Sequence, residues 1–387
     1  MNDVPGSEFQ AQSQISNPAL QFKIQDPQST INDDIAISLL HHLVRIPSIS
    51  GEETLAVRYL VDQLQTLGFE SYVDGAGNAV GIIGEGRPET VLLGHIDTVP
   101  GDIPVRIEGG RLWGRGAVDA KGPLATFVVA AARLGARGLA HGRIIVIGCV
   151  EEEAPSSRGA HYAVDRYQPD ACIVGEPSGW SRVTLGYKGT LRISCSVEAT
   201  CGHGAHDRQT AVERMVAFWR SITDYVNQFN HERERAFDQL LPTLIAINSG
   251  SDGLQEWARA EISIRLPIDV APHELADRLH AFDPELTIDV LGTATAFRSD
   301  RNTPLLRALT NAIRQQQAQP GLVLKTGTAD MNIVGPAWKC PVAAYGPGDA
   351  ALDHTPDEHI VIDEYLRAIA VLETALATLH RRTESGS

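Results

Sequence analysis

The chain has 387 residues, of which 43% are hydrophobic and 21% charged, a balance typical of a globular protein long enough for two domains. Its 48 acidic and 33 basic residues give a formal charge of −15, which argues against a nucleic-acid-binding or anionic-membrane surface. No stretch approaches the roughly 20 apolar residues of a membrane span, and no signal-peptide pattern is visible. We therefore expect a cytoplasmic protein whose 5 cysteines are free thiols.

The first half of the chain alternates predicted helices and strands. Residues 1–30 are rich in Gln, Ser, Asn and Pro, so we expect a flexible tail there. An amphipathic helix begins near Asp33, and a second follows, capped by the Ser48–Glu53 segment, with Leu55, Leu60 and Leu64 on its buried side. Further elements are predicted over Glu70–Val73, Asn78–Ile83, Gly122–Leu134 (a buried helix) and Arg143–Val150 (a buried strand). This alternation indicates an α/β layered sheet.

An apolar strand over Val91–Leu93 ends at Gly94 and leads directly to His95 and Asp97. In open α/β sheets, binding and catalytic residues usually lie at the carboxyl ends of the strands. Side chains two residues apart on an extended backbone point the same way, so His95 can bind a metal while Asp97 holds its other ring nitrogen. Asp119 follows in a Gly-rich turn. Taken alone, a His-x-Asp pattern more often marks an ordinary strand end with turn acids.

Two more predicted strands end in acidic residues. The strand over Arg143–Val150 leads to Glu151–Glu153, and the strand over Ala171–Val174 leads to Glu176. Three adjacent acids at a strand end are unfavourable unless a positive group lies nearby. Because three successive strands end in possible metal ligands, coincidence is the poorer explanation.

A separate α+β unit begins near residue 185, with alternating strands and a long helix over Thr210–Phe229. After Pro304 the helical pattern of the first unit resumes, and a last amphipathic helix is predicted over Ile362–Leu379. We therefore expect a tail of residues 1–30, a catalytic domain formed by residues 31–184 and 298–387, and an inserted domain of residues 185–297.

Five motifs occur along the chain in the order found in one family: GHIDTVP, GRGAVDAKGP, EEE at a strand end, GEPS and LDHTPDE. From about Ile35 to Leu379 the chain resembles the di-zinc metallopeptidases of the ArgE/DapE and aminoacylase group, which includes acetylornithine deacetylase, succinyl-diaminopimelate desuccinylase and glutamate carboxypeptidase. The resemblance implies a zinc-exopeptidase-like mixed α/β sheet with helices on both faces. It also implies an inserted α+β domain that serves as lid and dimerisation surface, and two Zn²⁺ per chain, with Co²⁺ as a possible substitute.

The resemblance also implies a role for each matched residue. It assigns His95 and Glu176 to the first zinc, and Glu153 and His354 to the second. Asp119 would bridge the two ions. Asp97 would orient His95, and Glu152 would be the general base. The run of three acids leaves a second register open, in which Glu151 is the base and Glu152 the ligand. A cis peptide bond would fall at Asp119-Ala120.

Further residues are matched in and near the inserted domain. His206 in GHGAH matches the histidine that donates to the oxyanion, usually across a dimer interface; His203 is the rival, but the family spacing selects His206. Arg265 matches the arginine that binds the substrate α-carboxylate. The family's Asn-Val-Ile-Pro segment before that arginine is absent, so the usual lid asparagine is not carried over. The segment KTGTADMN supplies three more substrate-binding candidates: Thr328, Asp330 (for a positively charged product side chain) and Asn332.

KTGTADMN, together with VDAKGPLA and EEEAPSSRGA, looks most like the LysW-lysine/ornithine hydrolase branch of this group. Those enzymes release lysine or ornithine from the γ-glutamyl end of a small acidic amino-group carrier protein, in lysine or arginine biosynthesis. A partner of this kind predicts basic residues at the mouth of the pocket: Lys188, Arg192, Arg298, Arg301 and Lys325. No nucleic-acid or membrane partner is expected.

Two alternatives stay open. One is a deacylase of small N-acyl amino acids, of the acetylornithine deacetylase or succinyl-diaminopimelate desuccinylase type, or a carboxypeptidase. The remote alternative is a metal-binding relative without catalytic activity, which is disfavoured because no ligand or base position is visibly substituted.

Overall fold

The computed structural model describes residues 31–202 and 208–381, so the predicted tail of residues 1–30 lies outside it. Within the described ranges there are nine α-helices: α1 (Asp33–Arg45), α2 (Thr54–Thr66), α3 (Lys121–Ala136), α4 (Arg158–Arg166), α5 (Ala211–Asn230), α6 (Pro272–His280), α7 (Pro304–Gln315), α8 (Met331–Trp338) and α9 (Ile362–Leu379).

The same ranges contain sixteen β-strands: β1 (Glu70–Val73), β2 (Ala79–Glu85), β3 (Glu89–His95), β4 (Arg106–Glu108), β5 (Arg111–Trp113), β6 (Gly142–Cys149), β7 (Ala171–Gly175), β8 (Arg182–Tyr187), β9 (Gly189–Thr200), β10 (Leu241–Ser251), β11 (Gln255–Leu266), β12 (Thr287–Ala294), β13 (Phe297–Arg298), β14 (Gly321–Lys325), β15 (Val342–Ala344) and β16 (His359–Val361).

The larger unit is built on a nine-stranded mixed sheet in the order β1-β2-β6-β3-β7-β15-β8-β13, with β14 paired to β8. The central strands β6, β3, β7 and β15 run parallel. Side chains alternate across this sheet: Leu92 packs with α1, α2, α3, α7 and α9 on one face, while Val91 and Leu93 pack with α4 and α8 on the other. The predicted α/β sheet with helices on both faces is confirmed.

The smaller unit is a four-stranded antiparallel sheet in the order β10-β11-β9-β12 with its own hydrophobic core. Its long helix α5 begins at a capping box, in which the Thr210 side chain accepts from the Glu213 N–H and the Glu213 carboxylate accepts from the Thr210 N–H. Met215, Phe218 and Ile222 then recur at helical spacing on its buried face. The chain enters this unit between β8 and β9 and leaves it between β12 and β13.

Some expected elements differ from the structure. The Ser48–Glu53 segment does not cap α2 with a side chain, and Leu55, expected on the buried side, is 67% exposed. The hydroxyl of Ser48 instead donates to the Ile96 carbonyl oxygen, which ties the segment to the residues after β3. The predicted helix over Ile362–Leu379 is confirmed. The small sheet β16-β5-β4 and strand β14 were not predicted, because their short strands lack a regular alternation of buried and exposed residues.

Two expectations from composition can be compared with the structure. All five cysteines are free, and Cys149, Cys172 and Cys195 are buried in strands, as predicted. Among the described residues, no helix combines the length and apolar character that a membrane span requires.

Candidate active site

Three adjacent parallel strands bring the predicted ligands to one edge of the larger sheet. β3 ends at His95, β6 ends at Cys149 just before the three acids, and β7 ends directly before Glu176. β3 lies between the other two, with Gly94 opposite both Gly148 and Gly175. Because the strands are parallel, their carboxyl ends meet on the same side of the sheet, as the sequence predicted.

The row of glycines across these strands allows α3 to approach the strand ends closely. A Cβ atom at Gly175 would lie 2.9 Å from the ring of Phe127, and one at Gly94 would lie 3.3 Å from Leu124. Both partners belong to α3, which begins two residues after Asp119. The small residues therefore bring the start of α3, and the loop that carries Asp119, over the ends of the strands.

Asp97 connects His95 to the acidic turn. The Nδ1 atom of His95 lies 3.3 Å from Asp97 Oδ1, and both side chains are almost fully buried. Asp97 also accepts the Ser50 hydroxyl at 2.7 Å and the N–H groups of Glu152 and Glu153 at 3.1 and 2.9 Å. Burial would raise the pKa of Asp97, but the hydrogen bonds, that from His95 foremost, leave it lowered. This geometry suits the predicted role of Asp97 in orienting His95.

Asp119 lies between two histidines. Its Oδ1 is 3.3 Å from His95 Nε2, and its Oδ2 is 3.1 Å from His354 Nε2. Burial opposes ionisation, but hydrogen bonds from His354 and His95 hold the pKa of Asp119 well below its usual value. The Asp119-Ala120 peptide bond is cis, as the resemblance predicted. A carboxylate with one oxygen directed at each histidine has the arrangement that a bridging metal ligand requires.

The neighbouring carboxyl groups lie in an environment that opposes their ionisation. Burial raises the pKa of Glu152 well above its usual value. Burial, followed by the charge of Asp119, raises the pKa of both Glu176 and Asp353 to about 8. Hydrogen bonds to Asp119 and Glu153 raise the pKa of His354 to about 10. The cluster thus holds more acidic groups than its histidines can offset, and a divalent cation would relieve this imbalance.

Nitrogen and oxygen donors converge here in two overlapping groups. One contains His95, Glu152 and Glu153, and the other contains Asp119, Glu153 and His354; within each group the ligand atoms lie within 4.8 Å of one another. Glu176 joins neither group by distance, although it is buried close to Asp119. Imidazole and carboxylate are the donors that Zn²⁺ and related divalent cations take in hydrolytic sites. The residues therefore fit bound metal ions.

The structure distinguishes the three adjacent acids. Glu151 has a positive φ of 59°, and its carboxylate binds Arg158 at 2.8 Å and the Ser156 hydroxyl at 2.5 Å. Glu152 and Glu153 instead direct their carboxylates at the histidine cluster. The register with Glu152 as base and Glu153 as ligand thus uses the two carboxylates beside the histidines, whereas the carboxylate of Glu151 is engaged elsewhere.

A cavity of about 1370 Å³ lies between the two units and opens over the donor cluster. The inserted unit, called the lid below, contributes Arg192 and Arg265 to its wall, and the catalytic unit contributes Lys325 and Thr328. The Arg265 Nη1 atom donates to the Thr328 hydroxyl across the cavity at 3.2 Å. Of the predicted basic residues at the mouth, Arg192 and Lys325 line this cavity. His206 and its rival His203 lie outside the described residues.

The prediction that Lys188 lies at the pocket mouth is wrong. Lys188 is fully buried, and its ammonium group donates to the carbonyl oxygens of Ala236, Phe237 and Gln239 in the lid. The residue lies at the connection between β8 and β9, where a lysine in a sequence read by itself gives no sign of its burial. Arg298 and Arg301 are exposed and are not among the residues that line the cavity.

The two remaining candidates of the KTGTADMN segment differ in their surroundings. Asp330 is 2% exposed, neither carboxylate oxygen has a hydrogen-bond partner within the described ranges, and burial raises its pKa to about 7. Asn332 borders the cavity, but its amide is hydrogen-bonded to backbone groups of Lys188, Thr295 and Ala329.

Sequence reasoning missed two residues that position the site. The carboxylate of Glu358 accepts the N–H groups of Val118 and Asp119 at 2.9 and 3.1 Å and pairs with Arg115 at 2.7 Å. Ser50 donates to Asp97, although the sequence predicted that its segment caps a helix. Glu358 stands in the LDHTPDE motif, and that position was the one available signal for its importance.

A histidine and carboxylate cluster at the strand ends of an α/β sheet, beneath a cleft closed by a second unit, defines the class of metal-dependent hydrolases. Residues 91–378 match the model of Peptidase family M20/M25/M40, and the chain belongs to this family. It is therefore a metal-dependent amidohydrolase. No single residue of the cluster identifies a metal-dependent amidohydrolase. The order of the motifs in the sequence and the order of the strands in the sheet both indicate one.

The chain is also similar to individual proteins. It is 44% identical over 350 residues to the [LysW]-lysine hydrolase of Deinococcus radiodurans, covering 89% of this chain and 97% of the relative. Among solved structures, the aminopeptidase PepT of Bacillus cereus superposes with a TM-score of 0.75 at 16% identity, covering 90% of this chain and 99% of that one. The M20 metallo-carboxypeptidase Sso-CP2 of Sulfolobus solfataricus gives a TM-score of 0.71 at 18% identity, covering 89% and 99%. The two structural similarities support the fold.

Proposed function

We propose that the protein hydrolyses the amide between the γ-glutamyl end of a small acidic carrier protein and the α-amino group of lysine or ornithine, in lysine or arginine biosynthesis. The similarity to the [LysW]-lysine hydrolase, over nearly its whole length, supports this substrate. The observation that carries it in the structure is Arg265, a half-buried guanidinium facing the cavity with no acidic partner among the described residues. Such a group binds a carboxylate in a bidentate manner.

The proposal includes two Zn²⁺ per chain, with Co²⁺ as a possible substitute, held by the ligands His95, Glu176, Glu153, His354 and the bridging Asp119. Zinc bound there would polarise the amide carbonyl and lower the pKa of water. Glu152 would take a proton from the attacking water and return it to the leaving amine. His206 would donate a hydrogen bond to the oxyanion from the lid of a partner in a homodimer. The proposed location is the cytoplasm.

Recognition of the released amino acid would fall to Arg265 and Thr328, which line the cavity, and to Asp330, which is buried and is not among the lining residues. Arg265 and Thr328 already contact each other and would hold the α-carboxylate between the lid and the catalytic unit. Asp330 is our candidate for the ammonium group of the product side chain. Its two carboxylate oxygens are buried and have no partner among the described groups, which is costly for a carboxylate unless a donor or a cation joins it.

The carrier protein would be guided by basic residues that face the cavity, despite the net charge of −15. Arg192 lies on β9 of the lid and lines the cavity, where it pairs with Glu261. Local charge of this kind raises the rate at which an oppositely charged substrate associates, and salt screens it. We therefore expect its effect to appear in kcat/KM. With an acidic carrier protein as substrate, kcat/KM should therefore depend on salt concentration. With a small neutral acyl group, it should not.

The test is an assay of the zinc-loaded enzyme on carrier-linked lysine, carrier-linked ornithine, acetylornithine and succinyl-diaminopimelate. We expect the highest kcat/KM on a carrier-linked substrate, falling as salt is raised. Arg192→Ala should slow the carrier substrate and spare a short acyl-lysine. Arg259→Ala, an exposed arginine of β11 outside the cavity lining, is the matched control. Equal or faster turnover of acetylornithine, with no salt effect on any substrate, would favour the small-molecule deacylase instead.

A further inference from the structure

Only two connections carry the chain between the catalytic unit and the lid within the described residues, and they touch each other. The first joins β8 to β9 through Lys188, and the second joins β12 to β13 through Thr295 and Ala296. They pass so closely that a Cβ atom on Gly189 would lie 2.4 Å from the Ala294 carbonyl oxygen and 2.7 Å from the Ala296 nitrogen. The two connections therefore form a single narrow hinge.

One side chain of the catalytic unit binds both connections. The Nδ2 atom of Asn332 donates to the Lys188 carbonyl oxygen at 3.0 Å and to the Thr295 carbonyl oxygen at 2.8 Å. Its Oδ1 atom accepts the Ala329 N–H at 2.9 Å. The orientation of the amide follows from these partners, because two carbonyl oxygens can only accept and an N–H can only donate. Asn332 is 6% exposed, and both of its N–H groups are in use.

The hinge lies next to the residue that we assign to the substrate carboxylate. Across the β11–β9 pair, Arg265 is opposite Thr190 and Leu266 is opposite Gly189. Arg265 is thus directly opposite the second residue after Lys188. Because so few residues separate the hinge from Arg265, a rotation at the hinge would move the Arg265 guanidinium. On the other side of the cavity, Thr328 precedes Ala329, whose N–H is bound by Asn332. The same short segment therefore contacts Arg265 and holds the hinge.

We infer that Asn332 is a positioning residue, which binds the hinge connections to the floor of the cavity and so fixes Arg265 of the lid relative to the donor cluster. Its amide has no N–H left for a substrate in this arrangement. Removing it would leave two carbonyl oxygens without their donor and would free the lid to occupy other angles. Lys188 supports the same hinge from the lid side through its bonds to Ala236, Phe237 and Gln239.

The test compares Asn332→Asp, which keeps the size but removes both donors, with the milder Asn332→Ala. Matched controls are Asn311→Asp and Asn311→Ala, because Asn311 is an exposed asparagine of α7. Hydrogen exchange without substrate should be about tenfold faster at the two connections in the Asn332 variants and unchanged in the controls. With metal content unchanged, kcat/KM should fall about tenfold or more, the effect of one buried hydrogen-bonding group left unsatisfied.

A double-mutant cycle separates positioning from direct contact with substrate. If Asn332 acts by placing Arg265, the loss in the Asn332→Ala/Arg265→Ala double variant should be smaller than the product of the two single losses. Losses that multiply would overturn the inference, because Asn332 would then act independently of Arg265. Unchanged exchange at the connections in both variants would also overturn it. The kinetic part rests on the proposed function, whereas the exchange part needs no substrate, so the failure of one is distinguishable from the failure of the other.

Discussion

At the scale of single residues, Asp97 organises the site by hydrogen bonds to parts of the chain that are far apart in sequence. It contacts His95 beside it, Ser50 from the segment before α2, and the backbone of Glu152 and Glu153 after β6. One buried carboxylate thus fixes the His95 ring and the turn that carries Glu152 and Glu153. Partners of this kind hold a catalytic group in place and are as important as the ligands themselves.

A first prediction concerns the identity of the base. Glu152→Gln should keep the bound metal and lose about 10² to 10⁴ in kcat, the usual contribution of a general base. Glu151→Gln is the matched control, because its carboxylate binds Arg158 and Ser156 away from the histidines. It should retain most activity. Metal analysis and steady-state kinetics measure both. If Glu152→Gln loses metal while Glu151→Gln keeps it and is inactive, the register of the three acids is shifted by one.

The sequence singled out the candidate ligand residues that the structure brings together, and it predicted one positioning residue, Asp97, but it missed the others. His95, Asp119, Glu176 and His354 each follow or stand in a motif with a fixed order, so their types could be matched directly. Ser50, Glu358 and Asn332 act through contacts with residues between 3 and more than 200 positions away. Nothing in their local sequence indicates these partners, and Lys188 was placed at the surface for the same reason.

At the scale of elements, the strands that carry function were the ones predicted best. β3, β6 and β7 are largely apolar runs, typical of parallel strands buried on both faces, and their order in the sheet brings the candidate ligands together. β14 and the sheet β16-β5-β4 consist of short strands with exposed residues and no clear alternation. Their position depends on tertiary contacts, because such short segments have little preference of their own.

A second prediction concerns the loop between β5 and α3, which carries Asp119 and is held by Glu358, the residue directly before β16. Glu358→Gln should weaken the ion pair with Arg115 and loosen the Val118–Asp119 backbone, lowering metal affinity about 10- to 100-fold. Metal titration measures this, and activity should recover at saturating metal. Glu108→Gln, an exposed glutamate of β4 paired with Arg106, is the control and should bind metal normally. Unchanged affinity in Glu358→Gln would show that the loop holds its shape without this carboxylate.

At the scale of the whole molecule, the last ninety residues complete the sheet that the first half begins. β15 lies between β7 and β8, and α9 packs on α3 and α7 in the main core. The lid is inserted between these two parts of the chain, so folding of the catalytic unit requires contacts between residues 170 and 240 positions apart. The end of α9 is an example of such long-range contacts. His380 there is hydrogen-bonded to Thr90 of β3 and to His141, directly before β6.

A third prediction concerns His380 and the stability of the fold toward acid. Its Nδ1 lies 2.8 Å from the His141 carbonyl oxygen and must donate, because a carbonyl only accepts; its Nε2, 3.0 Å from the Thr90 hydroxyl, is then the acceptor. Burial lowers the pKa of His380 below its ordinary value of 6.5, and the nearby His141 adds to this, although the His141 carbonyl and Asp170 oppose it.

Because the folded pKa of His380 is depressed, the unfolded chain binds the proton first. The neutral ring therefore contributes its full share to the free energy of unfolding above about pH 6.5, and this share is lost as the pH falls through the lowered folded pKa. Urea unfolding of His380→Gln between pH 7.5 and 5, in about half-unit steps, should show a smaller loss of stability with acid than the native chain. His273→Gln, at an exposed histidine of α6, should follow the native chain. Parallel pH curves for the native chain and His380→Gln would mean that His380 does not titrate on unfolding.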